Sequence, residues 1–180
     1  MAVRGGQPEE RAEARERPAR WRAERELRQY ADGLAQWWAE HMDAPLRLLG
    51  AALSDAPAPL VELGPPTATA AARRAAPDRA PDRVVPFAGL EAAVRELAPA
   101  LTGPDAELTV VFAEGPMVVA VRLTWPEFRT DLGALLTPEG GRYDVLATDG
   151  TALCLERDDD HVRGEPVADP VSVWCGRAGS

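Results

Sequence analysis

The chain has 180 residues, 46% hydrophobic and 27% charged, an ordinary globular balance that excludes wholesale disorder. Its formal net charge of −9 arises entirely after residue 86: residues 1–53 carry nine arginines against nine acids, residues 54–86 four against four, and residues 87–180 seven against sixteen. So acidic a stretch repels a phosphate backbone and gains nothing from counterion release, which excludes nucleic acid as the expected partner. Lys, Ile and Asn are absent while Arg and Ala abound. That is the mark of a GC-rich genome, so the arginines carry no weight as nucleic-acid chemistry.

Residues 7–17 favour helix by propensity but have no apolar face, and Pro18 interrupts them, so residues 1–18 are expected to be disordered or a marginal helix. From Ala19 the pattern changes. Leu27, Tyr30, Ala31, Leu34, Trp37, Trp38, His41 and Met42 recur at three- and four-residue spacing, the stripe of an amphipathic helix. Asp43-Ala44-Pro45 reads as a helix restart, with Asp43 capping and Pro45 in the first turn. Leu46, Leu49 and Leu53 would continue the apolar face, giving a helical arm over 19–53. Residues 54–86 are rich in Ala, Pro, Arg and Asp and read as a linker. Within it the apolar run Leu60-Val61-Glu62-Leu63 suits an edge strand or a docking segment.

From Phe87 the sequence reads as an acidic α+β domain over 87–180. Leu90, Val94, Leu97 and Leu101 line a helix stopped by Gly103-Pro104. Alternation over 107–113 and 117–123, with Glu114-Gly115-Pro116 between, predicts a hairpin. Thr124-Trp125-Pro126-Glu127 matches a capping box, opening a helix that shows Trp125, Phe128, Leu132, Leu135 and Leu136 on one side. Strands follow at 142–148 and 151–157, joined by the two-residue hairpin signal Asp149-Gly150. Val171-Ser172-Val173-Trp174-Cys175 closes the series. The order αββαββ(β) predicts an antiparallel sheet with helices on one face. Chaperones, regulators and immunity proteins share such layouts, so the layout alone implies no activity.

Chemistry-bearing residues are few. Glu156-Arg157-Asp158-Asp159-Asp160-His161 holds carboxylates and an imidazole suited to Mg²⁺ or Mn²⁺. Consecutive residues converge on an ion only in a sharply folded loop, and no glycine stands at the turn position, so a solvated acidic loop is the plainer reading. His41, beside Trp37 and Trp38, has no local nucleophile or orienting acid. Cys154 and Cys175 form no disulfide framework or metal set, and acidic neighbours do not favour a thiolate at Cys154. Trp21, Trp37 and Trp38 form an aromatic group whose helix must pack on the rest of the chain, on a second copy, or on another protein.

These readings lead to a non-catalytic protein-interaction module (an adaptor, chaperone-like factor or inhibitor) without a cofactor. Trp37, Trp38, Asp158, Asp159 and Asp160 are its expected contacts. The expected partner is another protein of basic character, with homodimerisation through the arm as a further contact. Having no apolar run long enough for a membrane span and no secretory signal, it is expected in the cytoplasm. The alternative is a small metal-dependent hydrolase using Asp158, Asp160 and His161.

Overall fold

The computed structural model describes residues 8–53, 80–114, 117–136, 141–157 and 169–177. Helix α1 spans Pro8–His41 and is followed by strand β1, Leu48–Leu53. Strand β2, Arg83–Pro86, leads through a short 3₁₀ turn into helix α2, Leu90–Leu97. The hairpin β3 (Glu107–Glu114) and β4 (Met117–Thr124) precedes helix α3, Trp125–Leu135. Strands β5 (Gly141–Ala147), β6 (Thr151–Arg157) and β7 (Pro170–Arg177) complete the series. All seven strands form one antiparallel sheet in the order β1-β4-β3-β5-β6-β7-β2. The fold is therefore mixed α+β, and residues 87–177 follow the predicted αββαββ(β) order.

Strand alternation sorts the apolar side chains onto two faces. Val110, Phe112, Val119, Val121, Val145, Leu155 and Val173 point to the first face. There they share one core with Leu90 and Val94 of α2, and with Phe128, Leu132 and Leu135 of α3. The last two turns of α1 bring Leu34, Trp38 and Met42 to the same core, four residues apart and so on one helix face. Val111, Val118, Ala120 and Leu146 make a smaller cluster on the opposite face, with Leu49 and Ala152 against it.

Several expectations are corrected. Residues 44–53 do not restart a helix: Leu48–Leu53 is an edge strand paired to β4. The register shifts between Leu48 and Gly50, so Leu49 packs on one face while Ala51, two residues on, is buried on the other, and Gly50 weakens the helical alternative. Asp43 does not cap either; its own N–H and that of Ala44 donate to the Asp131 carboxylate at 2.9 and 3.0 Å. Helix α1 runs through Pro18 rather than breaking there. Arg83–Pro86, assigned to the linker, is an edge strand on β7, a position where proline is tolerated. Helix α2 stops at Leu97, ahead of Pro99, because the residue before a proline disfavours helical backbone. The arm's end and residues 87–177 thus share a core instead of packing as separate units.

Two turns follow the sequence closely. At α3 the Thr124 hydroxyl accepts the Glu127 N–H at 3.5 Å, and the Glu127 carboxylate accepts the Thr124 N–H at 2.7 Å. Between β5 and β6 the loop is Thr148–Gly150, one residue longer than expected. Gly150 takes φ 86° there, a conformation that penalises a Cβ, and Asp149 accepts the Thr151 N–H at 2.8 Å.

Candidate interaction surface

Helix α1 changes character along its length. From Leu34 onward its apolar stripe is buried, whereas Trp21 is 61% and Tyr30 36% exposed. The Arg25 guanidinium lies over the Trp21 ring, 5.8 Å from its centroid, a cation–π pair one helical turn apart. Arg25, Arg28, Gln29 and Asp32 flank the ring with polar groups. This outward stretch places a large aromatic surface in water, framed by charges of both signs.

The predicted tryptophan contacts fall differently. Trp38 is only 2% exposed. Its indole N–H donates to the Ala44 carbonyl at 2.7 Å, and its ring stacks on Phe112, centroids 6.5 Å apart. Trp38 therefore belongs to the core and offers a partner no surface. Trp37 is half-buried and meets Trp38 edge-on. Its other neighbour is His41, stacked at 5.1 Å, with Nδ1 of that imidazole 2.8 Å from the Trp37 carbonyl. The exposed member of the trio is Trp21.

Asp158, Asp159, Asp160 and His161 lie outside the described residues, and Glu156 is half-buried at the end of β6. Among the described residues no three His, Cys, Asp or Glu side chains gather as a metal set. Cys154 is buried, and its thiol is pushed up to about 12, first by burial and then by the nearby Asp144 carboxylate, with Arg142 opposing. Such a thiol is not a nucleophile near neutrality. Cys175 is half-buried and its Sγ donates to the Leu97 carbonyl at 3.3 Å.

Much of the acidic charge after residue 86 has internal work. Asp131 holds the α1–β1 turn. Glu127 pairs with Arg47 through bonds of 2.6 and 2.8 Å, and that guanidinium, with the cap at Thr124, holds its carboxyl down to about 2. Glu91 meets Arg95 and Arg129, Glu96 meets Arg83, and Asp144 meets Arg142. Asp149 closes its turn. Asp169 takes the Arg157 guanidinium in a two-pronged pair of 2.6 and 2.7 Å. Arg157 also donates to the Leu136 carbonyl and lies 5.0 Å from the Phe87 ring centroid. It thereby fastens the ends of α3, β6 and β7 together.

Sequence reasoning missed Asp131, Arg157 and the Arg47–Glu127 pair. Only Asp131 left a signal, an acid between Phe128 and Leu132 on the apolar side of its helix. No family model matches this chain, and neither the characterised proteins nor the solved structures searched contain a match. No described helix is long and apolar enough to cross a membrane.

Proposed function

We propose that this chain is a non-catalytic protein-interaction module, an adaptor, chaperone-like factor or inhibitor, that presents the outward stretch of α1 to a basic partner protein. The observation that supports this reading is Trp21, held in water by its own helix well ahead of Leu34, the first described side chain of α1 that is buried in the core. An indole removes much apolar area from water at little entropic cost, which is why tryptophan anchors many interfaces. A helix stretch whose aromatic side chains Trp21 and Tyr30 stand in water gains from a bound surface. The net charge of −9 lies after residue 86 and not on α1, so it steers a cationic partner toward the molecule and makes the approach sensitive to salt, while the indole supplies the contact.

The test uses the full chain and a Trp21→Ala/Tyr30→Ala variant. Solution mass is measured by light scattering, and partners are captured from cell extract at low and high salt. The expected result is one defined basic protein retained at low salt, released at high salt, and lost with the variant while the unfolding curve is unchanged. A salt-independent monomer that retains no protein would sink the reading. A homodimer abolished by the variant would move the contact from a foreign partner to a second copy.

A further inference from the structure

The middle of the sheet's second face is buried although no described helix or strand lies over it. Val111 is 1%, Val118 8%, Ala120 0% and Leu146 6% exposed, and across β6 and β7 the same face continues through Cys154 and Trp174, at 7% and 8%. The helices cannot account for this, because α2, α3 and the end of α1 all pack on the first face. Apolar side chains at the centre of a sheet reach such values only beneath another layer.

Topology says which part of the chain supplies it. Strands β1 and β2 are consecutive in sequence yet occupy opposite edges of the sheet, so their connection traverses six inter-strand spacings, about 29 Å. The intervening chain reaches about 95 Å when extended, so length imposes no obstacle. The hand of the crossing selects the face. Strands β4 and β5 run parallel to each other and are joined through α3 on the first face, moving toward the β2 edge. Strands β2 and β3 both run the opposite way to that pair. They are joined through α2 on the same face, moving toward the β1 edge. Reversing strand direction and travel together preserves hand, so these two crossovers have the same one. Strand β1 runs with β2 and β3, but its connection travels toward the β2 edge. Over the first face it would take the opposite hand; over the second it takes the same. Crossovers between parallel strands of one sheet share a single hand in about 98% of cases.

We infer that the second face of the sheet is a docking surface for the chain's own residues 54–79, with the apolar run Leu60-Val61-Glu62-Leu63 seated on Val111, Val118, Ala120 and Leu146. Its chemistry suits the site: three apolar side chains in four meet a patch of Val, Ala and Leu, bordered on β5 by the Arg142–Asp144 ion pair of the same face. The face is then an internal contact, closed to outside partners.

Two measurements on the full chain test this. A photo-reactive benzoylphenylalanine at Leu63 should cross-link within the same molecule to peptides containing 111–120 or 146. Cross-linking to the helices, to a second copy, or to nothing overturns the inference. The two cysteines report independently, since Cys154 lies on the second face and Cys175 on the first. In Leu60→Asp/Leu63→Asp, maleimide labelling of Cys154, read in a Cys175→Ser background, should accelerate at least ~10-fold. Labelling of Cys175, read in a Cys154→Ser background, should not change. Equal acceleration of both, or of neither, also overturns it. Should the double variant fail to fold, the cross-link on the Leu63 derivative decides alone.

Discussion

Glu127 serves two purposes with one carboxylate: it closes the capping box at Thr124 and pairs with Arg47 from the α1–β1 turn. The sequence showed the first through the spacing of Thr124 and Glu127. Arg47 is eighty residues away, and no local pattern could bring it there. The pair gives a pH dependence whose sign is fixed. The carboxyl is held at about 2 against an ordinary 4.5, so its contribution to stability is complete above about 4.5 and lost as pH falls toward 2. Denaturant unfolding measured from neutral pH into acid should show this loss, and Glu127→Gln should flatten that part of the profile while lowering neutral stability by about 1–2 kcal/mol. Asp131 was legible in a weaker sense. An acid on the apolar side of a helix announces a buried partner, but not that the partner would be two backbone N–H groups from another element.

At the scale of elements, periodicity identified the strands and helices after residue 87 because each carries its own alternation or stripe. It failed at 44–53, where Leu46, Leu49 and Leu53 fit a helix; the register shift between Leu48 and Gly50 puts Leu49 and Ala51 on opposite sheet faces and erases the two-residue period. It failed again at Arg83–Pro86, a strand of four residues, too short for alternation to register. The periodicity makes α1 amphipathic; Leu34, Trp38 and Met42 of that stripe are buried while Tyr30 is not, and the sequence does not say where along the helix burial begins. Trp38 and Trp21 measure that difference. Trp38→Ala should cost about 3–5 kcal/mol, through the lost ring and the cavity it leaves under Phe112. Trp21→Ala should change unfolding by less than about 0.5 kcal/mol. Equal effects of the two in urea titrations would contradict the burial boundary at Leu34.

For the molecule as a whole, composition marked the net charge and its confinement after residue 86, but not how far that charge is neutralised locally by Arg47, Arg83, Arg142 and Arg157. Nor could it show that the front of the chain completes the core. Leu34, Trp38, Met42 and strand β1 contribute to the packing of residues 87–177. A fragment beginning at Val84 should therefore lose cooperative unfolding, bind hydrophobic dyes and resist proteolysis poorly, by circular dichroism and limited digestion. A fragment as resistant as the full chain would mean that the front helix and β1 are dispensable. The sheet order has a consequence for synthesis. Strands β1 and β2 emerge first from the ribosome, yet their neighbours β4 and β7 are made much later. The nascent chain therefore carries the apolar Leu48–Leu53 unmatched until Met117–Thr124 has been translated, and Arg83–Pro86 unmatched until Pro170–Arg177 has. Such long-range pairing places refolding in the millisecond-to-second class, roughly, rather than among the microsecond folders. It also leaves a growing chain open to aggregation for most of its elongation.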